Sequence, residues 1–366
     1  DSKTRQYVYN ESTLTGGAKL LTAMTGLVDE NGVRFDDTTY DSSGRAVSTQ
    51  ASLGVGRVSV AYNADGSSDV TYPSGGVSHQ GYTTVQGLVR VASLDKPCGE
   101  CGQPYASRTY DANSHPATYT DFNGNVRAVT YDPNGLLTEE IDAQGSADQR
   151  TTDTTWDTTL RVPLVSTIKD NSGKVLSKSG WAYNASGLTT AACLIDPVAA
   201  PSYTCAATGT APAGVRRSAM TYCTTINGTT CPLLGLLLKV DGPRTDVTDT
   251  VSYAYYPTTD ESGCATAGGA CHHLGDVKTT ADGAGLVTTY VTYDRSGRPT
   301  RIKAPNGALT DLTYTPRGWL ATKTARTLAA GTPSTSDSTT TVTYNPDGTV
   351  HSVTDPDSVV TTYTYD

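Results

Sequence analysis

Acidic pairs at Asp36/Asp37, Glu139/Glu140 and Asp355/Asp357 offer the residue type that glycoside hydrolysis requires, two carboxylates about 5 to 9.5 Å apart. Most of these acids lie in or beside turn signals, where a carboxylate satisfies local backbone N–H groups, and that role explains them better. Ser166-Thr167-Ile168-Lys169 has the S-x-x-K spacing of a serine nucleophile with a lysine base, but it sits in a β-branched stretch without partner motifs. Gly54-Val55-Gly56 lacks the third glycine and following helix of a dinucleotide loop and reads as a bend or bulge. The histidines, His79, His115, His272, His273 and His351, stand apart from any recognisable Ser or Cys nucleophile. Of these, only His272 and His273, beside Cys271, merit a test as metal ligands. No catalytic residue and no cofactor site is expected.

The eight cysteines fall into local couples, Cys98/Cys101, Cys193/Cys205, Cys223/Cys231 and Cys264/Cys271. Members of a couple are at most 12 residues apart while neighbouring couples are at least 18 apart, so local disulfides need the least rearrangement of the chain. A closed loop of about ten residues is worth roughly 2 to 3 kcal/mol in the chain-entropy account. Disulfides place the chain in an oxidising, exported setting. Zinc is the rival reading, because Cys98-Gly99-Glu100-Cys101 and Cys271-His272-His273 contain ligand types. Cys193/Cys205 and Cys223/Cys231 lack metal-like spacing, and disulfides account for all the couples with one cause.

The elements that must carry these residues are strands and turns. The 366 residues include 36 Gly and 18 Pro with only 17% charged residues, a composition for a turn-rich β protein. Tyrosine dominates the aromatic residues, at 22 against 3 Trp and 2 Phe. It must therefore supply most ring packing while each hydroxyl seeks a partner. A net charge of −9 without a Lys/Arg cluster argues against a nucleic-acid partner. No stretch approaches the roughly 20 apolar residues of a membrane-spanning helix. The chain has neither an initiator Met nor a leader and closes on the opening of a turn, so it reads as a piece of a longer polypeptide.

Self-similarity organises the whole. Segments 110–131, 293–314 and 344–365 align without gaps with Tyr at both ends, 21 residues apart, and each holds a second turn signal, at 121–124, 304–307 and 355–358. Asn345-Pro346-Asp347-Gly348 and Asp132-Pro133-Asn134-Gly135 have type I turn chemistry, with glycine free to take positive φ. The slot recurs after tyrosine, so Tyr40 with Gly44, Tyr131 with Gly135, Tyr183 with Gly187, Tyr293 with Gly297, Tyr314 with Gly318 and Tyr344 with Gly348 mark the repeat turns. Turn glycines every 10 to 12 residues imply short consecutive antiparallel strands. Val287, Thr289, Val291 and Tyr293 are expected on one face, with Leu286, Thr288, Tyr290 and Thr292 on the other. One hairpin cannot bury its own face, so neighbours must pair edge to edge. The expected fold is all-β, an array of antiparallel hairpins in a long twisted sheet over 1–366. Within it, repeats are irregular over 1–109, regular over 110–190, interrupted by Cys-rich insertions over 191–278 and regular again over 279–366. The stretch 329–338 reads as a surface loop.

The Tyr-Asp-x-x-Gly-Arg form of Tyr40-Asp41-Ser42-Ser43-Gly44-Arg45 and Tyr293-Asp294-Arg295-Ser296-Gly297-Arg298 resembles the YD repeats of bacterial Rhs proteins, which have relatives among wall-associated secreted proteins, toxin-complex subunits and teneurins. The resemblance spans nearly the whole chain, most clearly 110–190 and 279–366. It implies a sheet that spirals into a hollow shell or extended scaffold, often around a C-terminal toxin. Asp132-Pro133-Asn134-Gly135-Leu136 is similar to the self-cleaving Asp-Pro-x-Gly-Leu site of Rhs proteins but falls inside an ordinary repeat. The function implied is a non-catalytic, secreted or cell-surface scaffold that encloses or presents an effector domain, its partners being other segments of the same longer chain and that domain. The alternative is an extended adhesin or filament that binds glycans or neighbouring cells.

Overall fold

The computed structural model describes residues 4–97, 105–264 and 269–365. Among the described residues, 27 strands belong to an antiparallel sheet, and the helical content is a single 3-10 turn at Ser52–Gly54. The chain divides into two compact units, Asp1–Ser107 with Leu309–Asp366, and Arg108–Ala308. The first holds two runs of sequentially paired strands, Gln6–Tyr9 through Leu88–Leu94 and Leu309–Tyr314 through Val360–Thr362. The second is a single run that includes Pro116–Asp121 through Pro299–Lys303.

Turns form where Asp or Asn is followed three residues later by a residue able to take positive φ. Gly135 N–H donates to Asp132 O at 2.9 Å, and Asp132 N–H donates to Leu136 O at 2.9 Å. Gly135 itself has φ +75°. This is a type I turn extended by a left-handed residue, and it matches the right-handed twist of the strands it joins. The second turn of each repeat uses the same bonds, from Gly124 to Asp121, Gly307 to Ala304 and Ser358 to Asp355. Ser114 and Ser358 take the glycine's place at φ +66° and +65°.

The strands are not the simple alternating ribbons that the sequence suggests. Thr39 pairs with Ser48 but Tyr40 with Ala46, so one residue of the second strand is left unpaired. The same one-residue shift stands opposite Tyr131, Tyr183, Tyr293, Tyr314 and Tyr344. These are β-bulges, which raise the local twist. A second shift skips Val291 and corrects the expected faces of that strand. Thr292 and Tyr293, assigned to opposite faces, are both buried, at 4% and 6% exposure. A bulge breaks the period of two on which the face assignment depended.

Over 191–278 the strands Thr189–Ile195, Val215–Tyr222, Leu237–Asp241, Thr250–Tyr255 and Val277–Ala281 pair in succession, with the Cys-bearing segments between them outside the strands. The intervening loop folds back to bury Ala191, Cys193, Ile195, Ala200 and Cys205 in one cluster. Elsewhere most strands are half-buried along their length, as in Pro116–Asp121 and Leu137–Asp142.

Candidate functional site

The tyrosine that closes each repeat strand reaches two neighbours. Its backbone pairs forward, Tyr344 with Val350 and Tyr183 with Thr189. Its hydroxyl reaches backward to a carbonyl at or beside the start of the preceding strand. Tyr62 donates to Ala46 O at 2.8 Å, Tyr183 to Pro163 O at 2.9 Å, Tyr222 to Thr189 O at 2.8 Å and Tyr344 to Leu320 O at 2.9 Å. Tyr40, Tyr255, Tyr293 and Tyr365 do the same to Met24, Leu237, Val277 and Val350. Trp156 substitutes its indole N–H, donated to Leu137 O at 2.7 Å. Tyr131 instead lies with its ring 4.8 Å from that of His115. Burial raises the pKa of Tyr183, Tyr255 and Tyr293 above the usual phenol value.

The acids of the turns are engaged in the same way. Asp132 Oδ1 accepts from the N–H groups of Asn134 and Leu136, each at 2.8 Å. Asp41 accepts from Ser43 and Arg45, and Asp355 from Asp357 and Val359. Backbone N–H donation from Arg45 holds Asp41 below the ordinary carboxylate range, and that from Leu136 does so for Asp132. Asp132, at the position resembling an Rhs cleavage site, is thus a turn cap. Asp36 and Asp37 are consecutive in Arg34–Tyr40, and Glu139 and Glu140 in Leu137–Asp142, so each pair points to opposite faces of its strand. Ser166 and Lys169, three apart in Val162–Asp170, face opposite ways for the same reason, and Lys169 pairs with Asp153 at 2.6 Å.

At two turns a ring from another turn covers the glycine. A Cβ added to Gly348 would stand 2.8 Å from Trp319, the residue after turn glycine Gly318, and one added to Gly135 would stand 3.1 Å from His115. Thr residues just before the tyrosines meet Ser or Thr across the bulge, as Thr313 with Thr322 at 2.6 Å and Thr343 with Ser352 at 2.7 Å.

Disulfides join Cys193 to Cys205, Cys223 to Cys231 and Cys264 to Cys271. Cys98 and Cys101 lie outside the described residues, so their pairing has no structural account. The His272 ring stacks on Tyr256 at 3.9 Å, and His273 lies between Glu261 and Asp276 at 3.3 and 3.4 Å. Among the described residues, no group of three or more His, Cys, Asp or Glu side chains gathers closely enough to hold a metal ion.

One constellation has no counterpart in the sequence reading. In the first unit, Arg317 pairs with Asp29, and their side chains are only 5% and 4% exposed. The guanidinium carbon lies 4.4 Å from the Phe35 ring centre and 4.5 Å from that of Trp319. Nη1 donates to Pro346 O at 2.6 Å, while Nη2 is buried without a hydrogen-bond partner. Arg317 belongs to the turn after Tyr314 and Asp29 caps the turn at 29–32, so a buried ion pair joins the two sequence-distant segments of this unit. A cavity of about 360 Å³ lined by Val33, Trp319, Tyr344 and Pro346 adjoins it.

This geometry defines a tandem β-hairpin repeat protein whose tyrosines and turn acids bind its own backbone. Residues 110–147, 273–309 and 293–333 match the family model described as RHS Repeat, so these segments are RHS, or YD, repeats. No curated protein matches the sequence. The chain is similar to a crystal structure of TcdB2-TccC3-TEV at 13% identity and TM-score 0.42, over 88% of this chain and 18% of that one. It is similar to a Tc holotoxin pore of Photorhabdus luminescens at 12% identity and TM-score 0.44, over 87% of this chain and 18% of that one. It thus spans under a fifth of the length of either chain. No helix among the described residues is long and apolar enough to cross a membrane, which says nothing of a β-barrel.

Proposed function

We propose that this chain is a non-catalytic β-scaffold segment of a longer, secreted or cell-surface Rhs-type protein, and that it encloses or presents an effector domain of the same polypeptide. The observation that carries this reading is where the polar side chains of the repeat are used. Tyrosine hydroxyls bind carbonyls of the preceding strand, and the turn carboxylates bind N–H groups of their own loops. Groups held this way rigidify the sheet and are not poised to transfer a proton or attack a substrate. Three local disulfides in the second unit support an exported location. The test is limited proteolysis of the full open reading frame. The region flanking the array should resist digestion until the array is denatured, whereas cleavage at the rate of the isolated flanking domain would refute enclosure.

A further inference from the structure

We propose that a basic, aliphatic recess in the second unit binds an extended polypeptide segment bearing carboxylates between aliphatic side chains. The recess, about 720 Å³ in volume, is lined among others by Leu176, Leu194 and Val198, which are 44%, 59% and 82% exposed. Leu194 stands between buried Cys193 and Ile195 on Thr189–Ile195, so it projects from the face opposite the loop-covered core. Its register partners are Ser179 and Arg216. Large aliphatic side chains gathered in a concavity, in a chain otherwise rich in Thr, Ser and Gly, mark an interaction site more strongly than scattered exposed residues do.

Charge selects the partner. Lys174, Lys178 and Arg216 line the recess with a single carboxylate, Asp196, in a chain whose net charge is −9. Asp196 is already engaged by the N–H groups of Val198 and Ala199, and Lys178 donates to the carbonyls of Pro201 and Tyr203. Lys174 and Arg216 make no ion pair among the described residues. Asp170 is held below the usual carboxylate range first by the Ser172 hydroxyl and then by the Lys174 backbone N–H, with the Lys174 charge the smallest contribution. Two cations beside exposed aliphatic groups complement an acidic, apolar chain. A bilayer presents a broad surface and cannot enter a recess of this size, and a second copy docked symmetrically would set these cations against each other. The inference rests on the scaffold reading only in taking a polypeptide as what is held.

Fluorescence anisotropy with the 366-residue chain tests it, using labelled synthetic peptides of alternating Glu and Leu, alternating Lys and Leu, and alternating Glu and Ser. The Glu-Leu peptide should bind, more weakly as salt rises. The Glu-Ser and Lys-Leu peptides should each bind at least about tenfold more weakly. Lys174→Glu with Arg216→Glu should weaken Glu-Leu binding by roughly tenfold or more, and Leu194→Ser should weaken it independently. These positions are exposed, and unchanged melting curves establish that the variants fold. Equal binding of the Lys-Leu peptide, indifference to the charge reversal, or no Glu-Leu binding at millimolar peptide would overturn the proposal. So would capture of phosphatidylglycerol vesicles in preference to the peptide. Retained peptide binding with an unprotected flanking domain would sink the scaffold reading alone.

Discussion

The hydroxyl of a repeat tyrosine is a backbone clamp, which explains why phenylalanine does not serve in its place. Tyr344→Phe keeps the ring beside Trp319 and removes only the donor to Leu320 O, so it should cost about 0.5 to 1.5 kcal/mol in chemical denaturation. An unchanged midpoint would mean that water replaces the bond without loss. The turn glycines separate two effects that sequence alone merges. Gly124 has φ +86° and nothing within 4 Å of an added Cβ, so Gly124→Ala should cost about 1 kcal/mol from backbone strain. Gly348 has φ +95° and the Trp319 ring 2.8 Å away, so Gly348→Ala should cost clearly more. Equal melting shifts for the two variants would show that the ring yields freely.

At the scale of turns and loops, ionisation governs stability at both ends of the pH range. Asp41 and Asp132 titrate below their ordinary value, led by N–H donation from Arg45 and Leu136, and Asp121 does so led by the Asn125 amide. Asp337, which closes the loop after Arg326, is lowered first by the Thr327 N–H and then by Arg326. A depressed carboxylate contributes stability above its unfolded pKa, about 3.9, and loses it as pH falls toward the folded value. Tyr183, Tyr255 and Tyr293 are raised by burial, so their contribution is complete below the unfolded value of about 10 and declines as pH rises beyond it. Thermal melting should therefore hold level through neutrality and fall below about pH 4 and above about pH 10. A melting temperature constant down to pH 2 would rule out the ionised caps. The loop closed by Cys193 and Cys205, with a separation of 12, lends its own cysteines to the core. Replacing both with Ser should cost about 3 kcal/mol, read as a lowered denaturant midpoint against the unaltered chain, and an unchanged midpoint would show that the bridge adds nothing.

At the scale of the whole molecule, the first unit brings together segments from opposite ends of the chain, and Arg317 with Asp29 is a buried ion pair between them. Removing Arg317 leaves the buried Asp29 carboxylate with only the turn N–H groups of Asn31 and Val33 and no opposite charge. Arg317→Ala should therefore destabilise this unit by about 3 to 5 kcal/mol. Arg317→Met combined with Asp29→Leu should recover much of that loss, because it also removes the stranded charge. Hydrogen exchange in Met24–Val28 and Leu320–Arg326 reports the opening. Fast exchange in the single variant that persists in the double would show that packing against Phe35 and Trp319, not the ion pair, holds the segments.

The sequence by itself determined the strand class and the position of the turns, because those depend on local chemistry. An Asp or Asn followed three residues later by glycine closes its own loop in most of its occurrences, as at Asp41, Asp132 and Asn345, and the spacing of such loops sets the strand length. Tyr40, Tyr131, Tyr183, Tyr293, Tyr314 and Tyr344 were legible as markers for the same reason. Their bulges were not, since an unpaired residue is a property of two strands together and breaks the alternation read from one, as at Val291. The carbonyl partners of the hydroxyls, the covering of Gly135 by His115 and of Gly348 by Trp319, and the burial of the Cys193 loop likewise depend on which strands become neighbours. Arg317 and Asp29 each look like ordinary turn residues in sequence. Only the tertiary structure decided that they meet, because that contact is made between turns 288 residues apart, far beyond the range of any local pattern.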